Sequence, residues 1–246
     1  MVQSPPRTVP GRAGGRPNRG AWGFLRDLVV IVVVAVLASF LIKTFLIRSF
    51  FIPSESMQNT LQVGDRILVN ELVPGVIPLQ RGDVVVFKDP GGWLKGDYTP
   101  PPSNPVEAAG DWVLSLFGLS TQDANDHLVK RVIGLPGDHV TCCNALGQMS
   151  VNGTPIDEPY VVKQAGSSAV SGVPFDITVK KDSLWVMGDN RYNSEDSRFH
   201  PDTPTKGFVP ISDVVGRAFV VSWPVSSWSW LSDYPETFAG VRASSR

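Results

Sequence analysis

An apolar run near the N-terminus constrains this chain more than any other feature. Residues 28–42 contain one polar side chain, Ser39, and after Lys43 the run continues to Ile47. Fifteen helical residues reach only about 22 Å, whereas the twenty residues that end at Ile47 reach about 30 Å, the thickness of a hydrocarbon core. A lysine near a helix end can extend its ammonium to the interface. We therefore predict a transmembrane signal-anchor over residues 21–48.

The charges that flank this run predict its orientation. Before residue 27 the chain has five arginines and no acidic residue, and few positive charges follow the run closely. Since positive charge stays on the cytoplasmic side, we expect an inside N-terminus and a translocated C-terminal bulk. The Pro-, Gly- and Arg-rich residues 1–20 predict a disordered cytoplasmic tail. An uncleaved anchor is favoured over a signal peptide because no polar cleavage region follows Val36-Leu37-Ala38, and over a buried core helix because the run has no polar face.

The chain after the anchor carries the signals of a turn-rich β domain. Short runs rich in Val, Ile and Leu alternate with turns, which suits a chain with 23 Gly and 21 Pro residues. The strand signals lie at residues 66–70, 82–87, 128–133, 149–153, 183–187 and 214–223. We predict a mainly β extracytoplasmic domain of short antiparallel strands over residues 49–231. Residues 232–246 are predicted to be a C-terminal tail, weakly ordered from Pro235.

One long stretch does not fit the strand pattern. Residues 93–126 contain a proline cluster and an apolar island, Trp112–Phe117, and a loop of this length is usually functional or disordered. The island predicts either an interfacial segment that contacts membrane lipid or a short core helix, and both stay open. The tryptophans within Trp228–Trp230 are a second candidate contact with lipid.

Composition sets limits on cofactors and partners. The net charge of −1 gives no basic field for nucleic acid, and the three histidines match no zinc spacing, so neither a metal nor a cofactor is predicted. The two cysteines are adjacent, as Cys142-Cys143. A relaxed intrachain disulfide is not expected, because a vicinal pair can bridge only through a strained ring. An oxidising compartment leaves a vicinal or an intermolecular bridge open.

A short polar break directly after the anchor contains two serines, Ser54 and Ser56. Pro53 fixes its own φ and favours an extended Ile52, so the chain turns stiffly before the serines. A serine on such a turn can point its hydroxyl into a cleft while nearby N–H groups hold an oxyanion. The alternative is ordinary helix capping by one of the serines.

Lys130 supplies a candidate base far downstream. On a strand, Leu128, Lys130 and Val132 share one face. If that face is in the core, burial lowers the lysine pKa, and a neutral lysine can accept a proton from a serine hydroxyl. The alternative is an exposed edge-strand lysine that opposes aggregation.

A polar block, Gly188–Arg198, is the third candidate segment. Alone it predicts a solvated loop, and its calcium-loop pattern is incomplete.

Together these segments resemble the type I signal peptidases (leader peptidases) of bacterial inner membranes. The matching stretches follow an anchor in the family's order: PSESM at 53–57 with Thr60-Leu61, RGDVVVF at 81–87, KRVIGLPGD at 130–138, and GDNR at 188–191 with Ser194 and DSR at 196–198. The match spans roughly residues 28–224 and leaves out the tails and most of 93–126. It implies a Ser–Lys protease on a mainly β fold that cuts exported preproteins after small residues at −1 and −3.

The resemblance gives each matching residue a role. Ser56 corresponds to the nucleophile and Lys130 to the general base, while the Ser54 hydroxyl joins the Ser56 backbone N–H in the oxyanion hole. Ser194 corresponds to a serine that hydrogen-bonds and orients the lysine. The implied supporting charges are Asp196 and Arg198, with Asp189 as a candidate partner of Arg131. The residues implied to line the apolar substrate pockets are Ile52, Met57, Leu128 and Val129.

The resemblance also implies partners and a location. The substrates would be the signal peptides of secreted preproteins, and the export translocon is a candidate partner. The protein would span the cytoplasmic membrane once, with its N-terminus inside and its catalytic domain on the extracytoplasmic face. No metal or cofactor is implied.

Two departures and three alternatives accompany this interpretation. Asn59 replaces the family's usual proline and Tyr192 its usual aspartate, which leaves the turn after Met57 and one loop contact open. A self-cleaving repressor would need a DNA-binding domain where residues 1–48 give an anchor. A Ser–His protease would use His127. The non-enzyme alternative is an anchored, catalytically inactive β domain that binds translocated polypeptide without cutting it.

Overall fold

A computed structural model describes residues 20–94 and 126–242, except Lys163 and Ala165. This part of the chain consists of an N-terminal apolar helix and a domain of short antiparallel strands. The predicted fold class is therefore confirmed. The apolar island Trp112–Phe117 lies outside the described residues.

Helix α1, Ala21–Phe45, contains most of the predicted apolar run. Its segment Trp22–Ser39 has a mean hydropathy of 2.1 and is long and apolar enough to cross a membrane. At 25 residues, the whole helix is about 37 Å long. It ends at Phe45, within the predicted anchor of residues 21–48, because Ile47 begins a strand and pairs with Asn70 of the next strand.

The β domain is built from short strands, half of them four or five residues long. In chain order they are β1 (Ile47–Phe51), β2 (Arg66–Asn70), β3 (Val84–Lys88), β4 (His127–Gly134), β5 (His139–Cys142), β6 (Ser150–Val151), β7 (Thr154–Pro155), β8 (Phe175–Thr178), β9 (Ser183–Met187), β10 (Val209–Pro210), β11 (Val214–Trp223) and β12 (Ser229–Trp230). A short helix, α2 (Pro235–Phe238), follows the last strand.

The described strands form two antiparallel sheets. The larger has the order β1-β2-β11-β3-β4-β9-β10, with β12 paired to β11, and the smaller has the order β7-β6-β5-β8. Strand β3 is near the middle of the larger sheet, and its Val84–Phe87 are all buried. This explains why β3 reads as a continuous apolar run rather than as an alternating one.

Strand β4 is paired differently along its two edges. It pairs with β3 from His127 to Arg131, but its pairing with β9 begins only at Arg131. Within the described residues, no strand covers the β9-side edge at Leu128–Lys130. This edge can therefore accept an extended chain.

A core cluster supports the segment that follows β1. Phe50, Ile52, Met57 and Leu61 are each at most 4% exposed and pack in one cluster with residues of β2, β3 and β11. The serine-containing segment is therefore held on both sides by buried apolar side chains. Such packing fixes the backbone of a segment that is otherwise polar.

The C-terminal segment is better ordered than its composition predicts. Residues 235–238 form α2, and Phe238 is buried in the core cluster that contains Ile133 and Met187. Proline at the start of a helix and one buried aromatic side chain are enough to fix this short segment. Neither the helix nor the buried Phe238 was expected from the sequence, which predicted a C-terminal tail over residues 232–246.

The adjacent cysteines form a disulfide with each other. Cys142 ends β5 with its side chain buried, and its sulfur is bonded to that of Cys143. Of the bridges left open by the sequence, the structure has the vicinal one.

Candidate active site

Ser56 lies on a short 3-10 turn, Glu55–Met57, that follows β1. Ser54 precedes the turn with extended backbone angles (φ −130°, ψ 162°), and among the described residues its side chain makes no capping hydrogen bond. The capping alternative therefore gains no support from Ser54. Because Ile52 and Met57 are buried on either side of the serines, apolar packing holds the turn in place.

Lys130 and Ser56 lie within hydrogen-bond distance of each other. Nζ of Lys130 is 2.7 Å from Oγ of Ser56, and the two residues are 4% and 9% exposed. Oγ of Ser54 is 3.3 Å from Oγ of Ser56. The fold thus brings Lys130 to two serines that lie more than seventy residues before it in the sequence, and it rejects the exposed edge-strand alternative for Lys130.

Burial lowers the pKa of Lys130 to about 8, from 10.5 for an ordinary lysine. The negative charges of Asp196 and Asp189 oppose this shift, and the positive charge of Arg198 adds to it. Leu128 and Val132, on the same strand, are also buried, as the strand pattern predicts. An amine with a pKa near 8 is partly neutral at neutral pH and can accept a proton from Ser56.

A buried carboxylate, Asp196, organises the polar groups next to Lys130. It accepts hydrogen bonds from Ser194 Oγ and the Gly188 N–H, both at 2.9 Å, and from the Arg198 guanidinium at 2.8 Å. Burial works to raise the pKa of Asp196, but the hydrogen bonds and charge of Arg198, with smaller contributions from Gly188 and Lys130, lower it. The resemblance implied a hydrogen bond from Ser194 to the lysine; here the Ser194 hydroxyl donates to Asp196 instead.

Arg131, the next residue on β4, is completely surrounded by partners. It makes a bidentate ion pair with Asp189 at 2.8 and 2.7 Å, as the resemblance implied. Its guanidinium also donates to the carbonyl oxygens of Gly82 (2.7 Å) and Ser232 (3.0 Å). The Thr60 hydroxyl, four residues after Ser56, donates to Asp189 as well. This network connects β4 to the segment that carries the nucleophile.

Two tyrosines complete the surroundings of Arg131. The guanidinium carbon lies 4.1 Å from the ring centre of Tyr160 and 5.3 Å from that of Tyr234. Both distances suit cation–π contacts. Sequence reasoning missed both residues, because they lie outside the recognised motifs and come from segments far apart in the chain.

A cavity of about 140 Å³ opens beside the serines. Its lining includes the four residues implied for the substrate pockets, Ile52, Met57, Leu128 and Val129. It also includes residues that were not assigned to the substrate pockets from the sequence, namely Phe50, Phe51, Pro53, Leu94 and His127. Ser54, Ser56 and Lys130 form its polar wall. The cavity therefore combines a mainly apolar lining with the candidate reactive groups.

The structure accounts for both departures from the family pattern. Asn59 has φ = 82°, a backbone angle that proline cannot adopt. Its side-chain amide donates to the Tyr160 carbonyl at 3.1 Å, so asparagine both permits and secures this turn. The Tyr192 hydroxyl donates to the Ala169 carbonyl at 2.8 Å and ties two loops together.

Two further ion pairs contain buried charges. Arg191 and Glu158 form a bidentate ion pair with no exposure of either side chain. Arg81 pairs with Asp138 at 2.7 and 2.6 Å. Among the residues that the structure describes, no group of three His, Cys, Asp or Glu side chains could hold a metal ion.

Comparisons with known proteins agree on one family. The family model described as "Signal peptidase, peptidase S26" matches residues 25–223. Signal peptidase I of Mycobacterium tuberculosis (strain H37Rv) is 40% identical over 223 residues, which cover 83% of this chain and 74% of that protein. A probable signal peptidase I of Mycobacterium leprae is 37% identical over 227 residues, covering 83% and 78%. A probable signal peptidase I-2 of Synechocystis is 35% identical over 220 residues, covering 89% and 82%.

Proposed function

Because this chain belongs to the signal peptidase family, peptidase S26, we propose that it cleaves signal peptides with a dyad of Ser56 as nucleophile and Lys130 as general base. Membership of this family makes it a serine endopeptidase that acts on signal peptides. The observation that carries the dyad is the 2.7 Å contact between Lys130 Nζ and Ser56 Oγ in a buried site.

The first step is acylation of Ser56. Neutral Lys130 takes the proton from the Ser56 hydroxyl, and the serine oxygen attacks the scissile carbonyl carbon. The resulting oxyanion is held by the Ser56 backbone N–H and the Ser54 hydroxyl, whose oxygen lies 3.3 Å from the attacking oxygen. Lys130, now protonated, gives its proton to the leaving amine. The signal peptide stays attached to Ser56 as an ester.

Hydrolysis of the ester uses the same groups in a second cycle. Lys130 accepts a proton from a water molecule, and the hydroxide attacks the ester carbonyl. Collapse of the second tetrahedral intermediate returns the proton to Ser56 and releases the signal peptide. Asp196 and Arg198 act indirectly, through the pKa of Lys130. Burial lowers this pKa most, the charge of Asp196 raises it, and the charge of Arg198 lowers it.

The cavity supports a preference for small side chains. An extended substrate can pair with the β4 edge at Leu128–Lys130, which no described strand covers. Alternate side chains of such a strand point to the same face, so residues −1 and −3 would both enter the cavity. In this proposal the apolar walls of the cavity exclude bulky side chains sterically, and steric exclusion discriminates more strongly than the affinity for one methylene.

The N-terminal helix fits a membrane-anchored enzyme. In this proposal α1 crosses the cytoplasmic membrane once, the tail of residues 1–20 stays inside, and the catalytic domain of residues 49–231 lies on the extracytoplasmic face. An anchored enzyme meets its membrane-bound substrates at high effective concentration. Lipid and the export translocon are the further partners of this arrangement.

The test is cleavage of a peptide that contains an Ala-x-Ala site by the full-length chain in detergent, read by mass spectrometry. We expect cleavage after the second alanine by the wild type and none by Ser56→Ala, with a peptide carrying bulky residues at −1 and −3 left intact. Binding of the peptide without cleavage by the wild type would favour the inactive binding domain instead. Cleavage by Ser56→Ala at the wild-type rate would refute the proposed nucleophile.

A further inference from the structure

The backbone N–H of Ser56 belongs to the same peptide unit as the carbonyl of Glu55. A trans peptide is planar, and its N–H and C=O point in opposite directions. Whatever holds the Glu55 carbonyl therefore also fixes the direction of the Ser56 N–H. That direction determines how well the N–H can reach an oxyanion.

Asn190 holds this carbonyl from outside the turn. Its side-chain amide donates to the Glu55 carbonyl oxygen at 3.2 Å and to Oε1 of Gln58 at 3.1 Å. Its backbone N–H donates to the carbonyl oxygen of Ser56 at 3.1 Å. One residue thus fixes the carbonyls on both sides of the Ser56 α-carbon. The turn itself supplies one more donor, because the backbone N–H of Gln58 lies 3.0 Å from the Glu55 carbonyl.

The position of Asn190 is itself well fixed. Asn190 is 8% exposed and follows Asp189, whose carboxylate is held by Arg131 and Thr60. On its other side, the backbone N–H of Asn193 donates to the Asn190 carbonyl at 3.0 Å. Asn190 can therefore transmit the rigidity of the sheet to the nucleophile turn.

We propose that Asn190 is a positioning residue, which aims the Ser56 N–H at the oxyanion by holding the Glu55–Ser56 peptide plane. This inference rests on the proposed function, since it assumes that Ser56 is the nucleophile. Asn190 is not among the residues that line the substrate cavity, and it is not among the groups that shift the pKa of Lys130. Its side chain should therefore affect the chemical step and leave substrate binding and the base unchanged.

The test compares kcat, KM and the pH dependence of cleavage by full-length Asn190→Ala and Asn190→Asp in detergent. Aspartate keeps the size of the side chain but cannot donate to the carbonyl when ionised. We expect kcat to fall about 10- to 100-fold in both variants, because removing an oxyanion donor outright costs about 10²- to 10³-fold. KM should stay within about twofold in both variants, and in Asn190→Ala the pH of the half-maximal rate should not move, because the side chain contacts neither substrate nor base.

Two matched controls separate this role from a general loosening of the loop. Asn193→Ala removes a side-chain amide from the same loop, but this amide donates to the Glu55 carboxylate rather than to its carbonyl. Gln58→Ala removes the other partner of the Asn190 amide and leaves its bond to the Glu55 carbonyl in place. Both controls should retain kcat within about twofold of the wild type, since neither change touches the peptide plane.

Three outcomes would overturn the inference: wild-type kcat in both Asn190 variants, an equal loss in Asn193→Ala, or a loss in the uncharged Asn190→Ala that is accompanied by a shifted pH dependence. If Asn190→Ala does not fold, the isosteric Asn190→Asp carries the test. Failure of the proposed function looks different, because Ser56→Ala would then cleave or the wild type would not. In that case Ser56 is not the nucleophile, and the inference about Asn190 is overturned together with the proposed function.

Discussion

Lys130 and Arg131 are neighbouring cations on β4, both almost fully buried, and their surroundings are opposite. Lys130 is within hydrogen-bond distance of a neutral hydroxyl, and burial lowers its pKa to about 8. Arg131 makes a bidentate ion pair with Asp189, donates to two backbone carbonyls and contacts two tyrosine rings. Burial works to lower the pKa of Arg131 as well, but the Asp189 charge and hydrogen bonds raise it.

The difference shows how one strand can carry both reactivity and stability. A buried cation that lacks a hydrogen-bonded carboxylate loses its proton easily, which suits a base. A buried cation with a complete set of partners keeps its charge and connects the segments that surround it. The ion pair and hydrogen bonds of Arg131 hold the nucleophile turn against β4. They thereby keep Lys130 buried beside Ser56, although Lys130 has no hydrogen-bonded carboxylate of its own.

The largest expected effect is the loss of cleavage in Lys130→Met. Methionine has a similar length but cannot accept the Ser56 proton, so we expect the rate of peptide cleavage to fall about 10⁴-fold or more. Single-turnover cleavage followed by mass spectrometry measures this. The control is Lys181→Met, which replaces an exposed lysine on the turn before β9 and should cleave at the wild-type rate. A Lys130→Met variant within tenfold of the wild type would mean that the base lies elsewhere.

Arg131→Met should instead act on stability. It leaves the Asp189 carboxylate buried without its ion partner, and breaking a buried pair in this way costs about 3–5 kcal/mol. Urea unfolding followed by near-ultraviolet circular dichroism measures the free energy of unfolding. The control Arg48→Met removes an exposed ion pair with Glu71, for which we expect about 0–1 kcal/mol. Equal losses in the two variants would break the contrast between Lys130 and Arg131.

Lys130→Met should change the free energy of unfolding in the opposite direction to Arg131→Met. The pKa of Lys130 is about 8 when folded and 10.5 for an ordinary lysine, so the unfolded chain binds this proton more tightly. The resulting penalty on folding is full below pH 8 and disappears by pH 10.5.

We therefore expect Lys130→Met to be about 2–3 kcal/mol more stable than the wild type at pH 6.5, with the gain shrinking as the pH approaches 10. Unfolding measured at both pH values tests this. A variant that is less stable than the wild type at pH 6.5 would show that Lys130 is not under strain from burial.

Gly188→Ala tests how closely the polar block after β9 is packed against the turn that carries Ser56. A Cβ at this position would collide with Ser194 Oγ and with the Ser56 carbonyl oxygen. We expect a loss of stability of about 1–3 kcal/mol from overpacking and a fall in kcat of about tenfold or more because Ser56 shifts. Gly75→Ala, where nothing lies within 4 Å of the added atom, is the matched control. Wild-type activity in Gly188→Ala would show that the turn tolerates displacement.

The smallest expected effect is a shift of the pH dependence in Asp196→Asn. The negative charge of Asp196 raises the pKa of Lys130, and the positive charge of Arg198 lowers it. Removing the carboxylate charge therefore lowers the lysine pKa further, and the rising part of the pH–rate curve should move to lower pH. The exposed substitution Asp176→Asn should leave the curve in place. A shift to higher pH would contradict the assigned electrostatics.

The sequence pointed to the reactive residues of the site but not to several residues that hold them in place. The strand pattern placed Lys130 on one face with Leu128 and Val132 but left its burial open, and the ordered motifs pointed to Ser54, Ser56, Asp189 and Asp196. Tyr160 and Tyr234 could not be found this way, because their contacts with Arg131 depend on how distant loops fold back onto β4. The helix at residues 235–238 was not predicted for the same reason, because the burial of Phe238 is a property of the tertiary structure. Asn190 lay within a recognised motif, but its role depends on which carbonyl its amide reaches.

The most direct test of the Ser–Lys account is the pH dependence of kcat/KM for the full-length chain in detergent, measured from pH 6 to 10 on an Ala-x-Ala peptide. We predict a rate that rises with pH and reaches half of its plateau near pH 8, where Lys130 becomes neutral. A rate that does not change across this range, in an enzyme that still requires Ser56, would contradict Lys130 as the base.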